Sequence, residues 1–460
     1  NKARNHFLIH SISYKVNSSP ANKSLLLCLF TAILSIVYGQ ENTSIDRINQ
    51  YLNTLAADKN FSLCISISHK DSLVLERAFG YANRAHQVPN QMDTKLNTAS
   101  IGKMFTAVAI LQLEEQQKID LQYTVGTYLP QFPNKAIRDA VSIYQLLTHT
   151  SGLPLWFSED YDQKDKFDYL ELADYLAFYE DYRIDSSKVG TYAYSNVGFM
   201  LLGYIIEEVA QMSYKDYLNQ YLFEPLDMQH TGLWKLTDII PNAAVGYVRP
   251  VDKKDEWKTN YYLNKSSSPA GGAYSSTGDL IKFYQGLKTH QLLKEESKKQ
   301  MFHPQISTGY GQYGYGIGIN ENNGQAIIGH LGGYYGVRGE LMWYPTDDYI
   351  VAILANSDHT DYIDLSYFIK TELTGTEEEK RIYQQTLNLL ASKRFEQTAI
   401  DSTFLAMLEG KTWDEMLIQI KAYHYYNNKD YEKAKKYFYF NHQLFPESAS
   451  AMNDWNRVKE

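Results

Sequence analysis

The chain has 460 residues, of which 44% are hydrophobic and 21% are charged, and its formal net charge at pH 7 is −9. This length allows one large domain with an extension, or two to three domains, and the apolar fraction is sufficient for a sizeable core. The negative charge and the lack of any Lys/Arg-rich run exclude a nucleic-acid-binding surface. No Cys/His metal spacing and no phosphate-binding loop occur in the sequence, so neither a metal nor a cofactor is expected.

The first 40 residues have the pattern of an export leader. Four basic residues come before an apolar run: Lys2, Arg4, Lys15 and Lys23. The run extends from Leu25 to Tyr38 and is followed by Gly39, a small residue suited to cleavage; it is short for a membrane-spanning helix. We therefore expect residues 1–40 to be a signal peptide and the protein to be periplasmic or secreted, with no permanent membrane span. The alternative is an uncleaved N-terminal anchor.

Helix and strand patterns follow the leader. Residues 41–60 have apolar side chains at helical spacing. Two strand-like runs, 62–69 and 72–79, predict a β-hairpin. Cys64 lies in the first run and is expected to be a small buried side chain without a disulfide partner. A further apolar helix is predicted over 100–117.

The middle of the chain is mainly helical. Helices are predicted over 143–147, 170–180, 199–209 and 214–221. After Pro225, short strands and glycine-rich turns dominate as far as Gly278.

Strands return in the C-terminal part of this region. Ser276 and Asp279 predict a capping box for a helix over 280–287. Strands are predicted over 313–319, 326–330, 339–344 and 349–356, with a closing helix over 362–373. This order is typical of an α+β fold, with one antiparallel sheet built from both ends of residues 41–375, flanked by helices and accompanied by a mostly helical lobe. A cleft is expected between sheet and lobe.

Residues 376–460 form a charged, all-α extension that is poor in glycine and proline. Five positions match the small, aromatic and proline positions of a tetratricopeptide repeat: Ala422, Tyr425, Ala434, Phe438 and Pro446. A single repeat cannot bury its own apolar face. These helices must therefore pack on residues 379–418, on the preceding domain or on a protein partner. A plain amphipathic helical hairpin is an equal alternative.

A serine stands three residues before a lysine at the start of the 100–117 helix. Positions i and i+3 share one helix face, so Ser100 Oγ and Lys103 Nζ can meet. Burial lowers the pKa of a lysine, which can then accept a proton from the serine hydroxyl. The positive end of the helix dipole favours an oxyanion at the same place. The alternative is a serine helix cap followed by a solvated lysine.

Further short signatures follow this pair in a fixed order. They are Tyr194-Ser195-Asn196, His330-Leu331-Gly332, the stretch 146–154, Ala270-Gly271-Gly272 and the stretch 329–333. Together with Ser100 and Lys103, they resemble the penicillin-binding-protein and class C β-lactamase family of serine hydrolases over about residues 45–375.

The resemblance implies a role for each polar residue. Ser100 attacks a carbonyl group to form an acyl-enzyme, and Lys103 shares or takes its proton. Tyr194, pushed toward the phenolate by the nearby lysine, activates the deacylating water and protonates the leaving group; a buried structural tyrosine is the alternative. Asn196 orients a substrate amide or contacts Lys103. The oxyanion hole uses the backbone N–H groups of Ser100 and Gly333.

The His330-Leu331-Gly332 signature departs from that of the penicillin-targeting members, which carry lysine where this chain has His330. An imidazole is largely neutral at pH 7, so it should bind a substrate carboxylate more weakly, and we expect slow or absent β-lactam turnover. Gly332 and Gly333 are expected to let the strand approach the substrate closely. Arg338 is a candidate for the missing charge, or else a surface arginine. His149 is expected to hold a loop.

The leading hypothesis is an exported serine hydrolase that acts on an ester or amide, as an esterase, a D-amino-acid peptidase or carboxypeptidase, or a β-lactamase-like enzyme. The expected partner is a small-molecule or peptide substrate, and a protein partner could bind residues 376–460. The alternative is a hydrolase-like binding or scaffold protein that acts through this helical tail. Specificity is assigned to the loops 155–190 and 234–268.

Overall fold

The computed structural model describes residues 44–156, 164–180, 182–249, 256–261, 265–358, 361–427 and 430–459. The predicted leader, residues 1–40, lies outside the described residues. The chain divides after Arg47, and the second unit, which begins at Ile48, is compact and contains the predicted helical tail. Within the described ranges, no helix has both the length and the apolar character needed to cross a bilayer.

An antiparallel sheet of eight strands is the centre of the second unit. The strands, labelled β1 to β8 in chain order, are Leu63–His69, Ser72–Phe79, Ile306–Ser307, Gln312–Tyr313, Gly318–Asn322, Gln325–Tyr334, Val337–Tyr344 and Tyr349–Ala355. Their order across the sheet is β2, β1, β8, β7, β6, β5, β4, β3. Leu63 in β1 pairs with Ala355 in β8. This pairing confirms the prediction of one sheet built from both ends of the domain.

The hairpin of β1 and β2 is closed by a two-residue loop. Lys70 and Asp71 have φ angles of 47° and 65°, in the left-handed region that such loops require. In β1, every residue but the last is buried, so both faces of the strand are covered. Cys64 lies in this strand, and burial raises the pKa of its thiol to about 12. The thiol is therefore an unreactive core group, as predicted.

Helices cover the sheet and form the lobe. Those used below are α1 (Gly102–Glu115), α2 (Ile143–Leu147), α3 (Asn196–Ala210), α4 (Thr277–Lys288) and α5 (Asp361–Thr374). Others cover 44–55, Val125–Tyr128, Lys135–Ala140, Tyr214–Leu218 and Glu295–Phe302, with 3-10 segments at Ala99–Ile101, Lys166–Asp168 and Leu172–Tyr179. A π-helical turn covers Asn219–Phe223. Helix α4 packs on β1 and β8, whereas α3 packs on α1 and α2 in the lobe.

Several boundaries differ from those predicted. Ser100 belongs to the 3-10 turn before α1, so the α-helix begins two residues later than expected. The predicted helix over 170–180 is a 3-10 segment. The predicted strand over 313–319 is divided because Gly316, with φ of 66°, turns the chain where it passes within reach of α1. The N-cap of α4 has the Ser276 half of the capping box, whereas the Asp279 carboxylate accepts from the His230 N–H instead.

The C-terminal helices pack on the sheet domain. They are α6 (Glu377–Leu390), Lys393–Gln397, Ser402–Ala406, α7 (Glu415–Asn427), α8 (Tyr431–Leu444) and Ala449–Val458. Helices α7 and α8 pack against each other, and α7 also contacts α5 and α6. Ala422, Ala434 and Phe438 are buried at these contacts. This burial fits both the repeat and the plain hairpin, so the tetratricopeptide assignment stays a prediction.

A buried ion pair joins the tail to α5, and its removal should destabilise the protein. Lys421 of α7 pairs with the Asp364 carboxylate, which is fully buried. Because Lys421→Met removes this cation from a buried carboxylate, we expect the free energy of unfolding to fall by about 2–4 kcal/mol. Urea unfolding measures the change, with Lys411→Met, at an exposed tail lysine, as the control. Equal stability of the two variants would show that the tail does not brace α5.

Candidate active site

The chain before the candidate nucleophile is held in a strained turn. Ala99 has a φ angle of 44°, a conformation that costs an L-residue about 1–2 kcal/mol. Its N–H donates to Asn97 Oδ1 at 2.8 Å, and its carbonyl accepts from the Gly272 N–H at 3.0 Å. A Cβ at Gly271 would lie 2.2 Å from the Ala99 oxygen, so only glycine fits there. The Ala270-Gly271-Gly272 signature therefore supports the turn that carries Ser100.

Lys103 is fully buried, one turn beyond Ser100. Its Nζ lies 3.2 Å from Ser100 Oγ, 2.6 Å from Asn196 Oδ1 and 2.5 Å from the Ala270 carbonyl oxygen. Burial lowers the pKa of this lysine well below its ordinary value. A neutral amine has two N–H bonds and one lone pair. The amide and carbonyl oxygens can only accept, so they take both N–H bonds and leave the lone pair for the Ser100 hydroxyl proton.

Tyr194 lies on the other side of Ser100. Its hydroxyl is close enough to the Ser100 side chain for that side chain to lower its pKa, against the larger effect of burial. Lys103 Nζ lies 4.9 Å from the centre of the Tyr194 ring, and the His149 ring packs on that ring at 4.3 Å between centroids. Burial raises the pKa of the Tyr194 hydroxyl above its ordinary value, which is opposite to the predicted phenolate. The physical reason is that a neutral Lys103 supplies no positive charge to offset the lost hydration.

The N-terminus of α3 orients the residues on either side of Ser195. Ser195 is the N-cap, and its Oγ accepts from the Gly198 N–H at 3.0 Å. The Ser195 N–H donates to His149 Nδ1 at 3.0 Å. Tyr194 and Asn196, one residue before and after this cap, both face the Ser100–Lys103 pair. His149 therefore holds a loop, as expected from the sequence.

A hydrogen-bonded chain of two histidines and a tyrosine lies behind Tyr194. The Tyr313 hydroxyl is 3.2 Å from His149 Nε2 and 3.0 Å from His330 Nε2, and His330 Nδ1 is 2.6 Å from the Leu331 carbonyl oxygen. His149 Nδ1 is an acceptor, so its Nε2–H donates to Tyr313, Tyr313 donates to His330, and His330 Nδ1–H donates to Leu331. Both imidazoles are therefore neutral.

His330 is consequently not placed as the substrate-binding group that the sequence suggested. It is 7% exposed and is absent from the residues that line the cleft, and both of its ring nitrogens are used internally. Burial lowers its pKa to about 3. Successive side chains of a strand point to opposite faces, so His330 points into the protein whereas the neighbouring Leu331 points outward and is 56% exposed.

This buried histidine predicts a loss of stability in acid. The pKa of His330 is about 3 in the folded protein against 6.5 ordinarily, so the unfolded chain binds more protons between these values. The free energy of unfolding therefore falls as the pH drops from 6.5 toward 3. We expect the fall between pH 7.5 and 4.5, measured by urea unfolding, to be about 2 kcal/mol smaller in His330→Gln. The exposed His86→Gln should behave like the wild type; an unchanged slope in His330→Gln would contradict this reading.

Strand β6, which contains the His330-Leu331-Gly332 signature, lies beside Ser100. In the described chain, residues His330 to Tyr334 of β6 pair with β7 alone. Tyr334 pairs with Val337 across a two-residue loop, so by ladder alternation the Gly333 N–H points to the open edge. A Cβ at Gly332 would lie 2.4 Å from the Thr98 carbonyl oxygen, so this glycine permits the close approach of β6.

Arg338 is held away from the cleft. Its guanidinium donates to the Tyr334 and Val337 carbonyl oxygens at 2.8 Å each, and it pairs with Asp358 at 3.3 Å. It is not among the residues that line the cleft. The structure therefore does not bring Arg338 to the substrate position suggested by the sequence.

The cleft beside Ser100 has a volume of about 470 Å³. Its described lining consists of Asn97, Ala99, Ser100, Leu155, Trp156, Tyr175, Tyr194, Asn196, Lys265, Ser266, Ser268, Ala270, Gly271, Gly272, Gly333, Tyr334 and Tyr335. Both loops to which the sequence assigned specificity contribute to this lining. Among the described residues, no group of three or more His, Cys, Asp or Glu side chains is placed to hold a metal ion.

Sequence reasoning missed three contributors to the site. The Ala270 carbonyl is a backbone group, and nothing in a side-chain pattern indicates that it accepts from Lys103. The sequence predicts Tyr313 on a strand but indicates no hydrogen-bond partner for its side chain. Lys265 lies in a loop without a recognisable motif. The Ala270-Gly271-Gly272 signature was the one available signal, since its glycines implied a close backbone approach.

The sheet, the helical lobe and the buried lysine beside Ser100 define a protein of the penicillin-binding-protein and serine β-lactamase class. The model of the Beta-lactamase protein family matches residues 52–372 of this chain. The chain belongs to this Beta-lactamase family, and the helices after α5 lie outside the match.

Individual relatives agree with this assignment. Putative penicillin-binding protein PbpX of Bacillus subtilis (strain 168) is 32% identical over 271 residues, which cover 58% of this chain and 65% of PbpX. The crystal structure of a penicillin binding protein from Bacillus halodurans is similar with a TM-score of 0.63 at 30% identity, and the match covers 70% of this chain and 98% of that one. An octameric penicillin-binding protein homologue from Pyrococcus abyssi gives a TM-score of 0.62 at 26% identity, over 73% of this chain and 78% of that one.

Proposed function

We propose that the protein is an exported serine hydrolase that forms an acyl-enzyme on Ser100 and cleaves an ester or an amide. The observation that carries this proposal is the 3.2 Å separation between Ser100 Oγ and the Nζ of the fully buried Lys103. A charged lysine at this depth would be costly, and the pKa lowered by burial favours the neutral amine. A neutral amine can act as the base that activates the serine.

Acylation begins when Ser100 Oγ attacks the carbonyl carbon and its proton moves to Lys103 Nζ. The carbonyl oxygen becomes an oxyanion beside the N–H groups of Ser100 and Gly333. When the carbonyl re-forms, the bond to the leaving group breaks. The leaving alcohol or amine takes the proton held by Lys103, relayed through the Tyr194 hydroxyl, and Ser100 retains the acyl group as an ester.

Deacylation returns the enzyme to its starting state. Water attacks the ester carbonyl and gives its proton to the Tyr194 oxygen while the Tyr194 proton passes to Lys103. Collapse of the intermediate breaks the bond to Ser100 Oγ, which recovers the proton from Lys103, and a carboxylic acid leaves. A hydroxyl whose pKa is raised by burial suits this relay, because it is protonated before each step.

Three substrate classes fit the site: short esters, D-amino-acid peptides and β-lactams. His330 is neutral and does not line the cleft, so it offers no charge to a β-lactam carboxylate. Losing such a charged contact costs about 1.5–3 kcal/mol. We therefore expect kcat/KM for nitrocefin at pH 7 to be at least about tenfold below that for 4-nitrophenyl butyrate. Nitrocefin hydrolysis as efficient as ester hydrolysis would contradict this expectation.

The alternative is a hydrolase-like binding or scaffold protein that acts through residues 376–460. Hydrolysis of a chromogenic ester by the wild type and by Ser100→Ala discriminates between the two functions. We expect activity only in the wild type. If both proteins are equally inert, the hydrolase proposal fails.

Mass spectrometry of the intact protein then reports the chemistry directly. After exposure to a fluorophosphonate, we expect one added group on the peptide that contains Ser100. Parallel exposure to a fluorescent penicillin shows which acyl shape the cleft accepts. Modification of Ser100→Ala to the same extent as the wild type would place the reactive group elsewhere.

A further inference from the structure

A second cavity, called here the junction cavity, lies where the C-terminal helices meet the sheet domain. It has a volume of about 250 Å³, and it is lined by the end of β5, by α5 and α6, and by the residues before α7. Its described lining shares no residue with that of the cleft beside Ser100. Because α6 and the start of α7 lie outside the Beta-lactamase family match, the cavity exists only where the tail packs on the family domain.

Lys370 of α5 brings a positive charge to the junction cavity. Its side chain is partly buried, and its Nζ lies 4.8 Å from the centre of the Tyr367 ring. Burial lowers the pKa of this lysine, whereas the charges of Asp414 and Glu379 act in the opposite direction. Within the described part of the chain, neither carboxylate is close enough to form an ion pair with the ammonium group. The cavity therefore contains a cation and two carboxylates that attract one another without direct contact.

The two carboxylates are fixed in place but keep acceptor capacity. The Tyr367 hydroxyl donates to the Asp414 oxygens at 3.0 and 3.1 Å, and a backbone N–H of α7 donates to Asp414 Oδ1 at 2.8 Å. Glu379 Oε2 accepts from the Thr376 N–H and hydroxyl at 2.7 and 3.1 Å. A carboxylate offers about four lone-pair positions, so both groups can accept from a further donor in the cavity.

Part of the wall of the junction cavity is apolar. It includes Ile382 of α6 and Trp413, which is 8% exposed. The indole N–H of Trp413 donates to the Leu408 carbonyl oxygen at 3.4 Å, so the rest of the ring is apolar surface. Drug-sized ligands fill about 300–1,000 Å³, so this cavity suits a smaller molecule. A simple ion matches only one sign of its charge, whereas a small molecule with an ammonium group, a carboxylate and an apolar side chain matches the whole lining.

We propose that the junction cavity binds a free α-amino acid with an apolar side chain. The carboxylate of the amino acid pairs with Lys370, and its ammonium group lies between Glu379 and Asp414. Its side chain packs on the apolar wall of Ile382 and Trp413. The bound amino acid thus contacts both the sheet domain and the tail, at a site that is independent of the proposed hydrolysis at the cleft.

Leucine and two truncated analogues test the proposal by calorimetry on the full chain. The two enantiomers of leucine are compared with 4-methylpentanoate, which lacks the ammonium group, and with 3-methylbutylamine, which lacks the carboxylate. We expect at least one enantiomer to bind with a dissociation constant of about 1 mM or lower. Each analogue should bind at least about tenfold more weakly, because it leaves one sign of charge in the cavity unmatched.

Variants of the lining assign each contact. Lys370→Met should weaken leucine binding by about tenfold or more but leave 3-methylbutylamine, which has no carboxylate, within about threefold of its wild-type affinity. The unchanged binding of this amine also shows that the cavity is still folded. At least one of Glu379→Gln and Asp414→Asn, which keep their helix-capping groups, should weaken leucine but not 4-methylpentanoate. Lys393→Met, at an exposed tail lysine, is the charge-matched control and should bind leucine like the wild type.

Ser100→Ala separates this inference from the hydrolase proposal, since it should bind leucine like the wild type. The inference is wrong if neither enantiomer binds at about 10 mM, or if leucine binds no better than both analogues. It is also wrong if Lys370→Met binds leucine as well as the wild type does, because the amino acid then occupies another place. Leucine binding that depends on Lys370 in a protein that hydrolyses no ester would support the junction site while the hydrolase proposal fails.

Discussion

Replacing Lys103 by methionine is expected to slow the acylation of Ser100 by about 100- to 10,000-fold. Methionine has a similar length and suits a buried site, but it has no lone pair that can accept the serine proton. The measurement is the second-order rate constant for fluorophosphonate labelling, followed by intact-protein mass spectrometry. In the wild type, this rate should rise with pH through the lowered pKa of Lys103, since only the neutral amine accepts a proton.

Two comparisons make this result specific. Lys118→Met, at an exposed lysine after α1, should label at the wild-type rate. Urea unfolding of Lys103→Met should show a folded protein, although Asn196 Oδ1 and the Ala270 carbonyl lose a donor. A labelling rate within about threefold of the wild type would mean that another group activates Ser100.

Replacing Tyr194 by phenylalanine should slow deacylation more than acylation. The phenyl ring can keep its packing on His149, but the hydroxyl that relays the proton of the attacking water is lost. We expect the steady-state rate on 4-nitrophenyl butyrate to fall by about 100- to 1,000-fold. Stopped-flow absorbance should show a burst of nitrophenol close to one equivalent, followed by slow turnover, because the acyl-enzyme accumulates.

Tyr192→Phe is a matched control for this variant. Tyr192 is a nearby tyrosine whose ring lies 5.8 Å from that of His149, and burial raises the pKa of its hydroxyl to about 12. It has no role in the proposed relay, so its loss should leave the burst and turnover close to those of the wild type. If Tyr194→Phe turned over as fast as Tyr192→Phe, the relay through Tyr194 would be excluded.

The parts of the fold predicted from the sequence are those with a local cause. Alternating apolar residues gave β1 and β2, and the apolar period gave α1 and α3. The union of β1 with β8 followed from the order of the elements, because strands at both ends of a domain need a shared sheet to bury their faces. The 3-10 turn at Ser100 was missed because its cause is non-local: it depends on Gly271 and Gly272, far along the chain.

The site was predictable where short motifs carry the chemistry. Ser100, Lys103, Tyr194 and Asn196 meet as their motifs implied. The predicted shift of Tyr194 toward the phenolate is wrong, because the sequence cannot show how completely a pocket excludes water.

His330 and Arg338 were misassigned for a related reason. Successive strand residues point to opposite faces, and the sequence did not show which face of β6 or β7 lines the cleft. The cation that does line it, Lys265, belongs to a loop, where no period indicates the direction of a side chain.

The pairing of β1 with β8 also governs when this protein can first become active during synthesis. Leu63 and Ala355 are roughly 290 positions apart, so the loop between them closes late and at a high entropic cost. A ribosome must complete β8 before the centre of the sheet can assemble, even though Ser100 and Lys103 emerged long before. Nascent chains and C-terminally truncated products that end before residue 349 therefore contain Ser100 and Lys103 but lack the scaffold that brings β6 beside them.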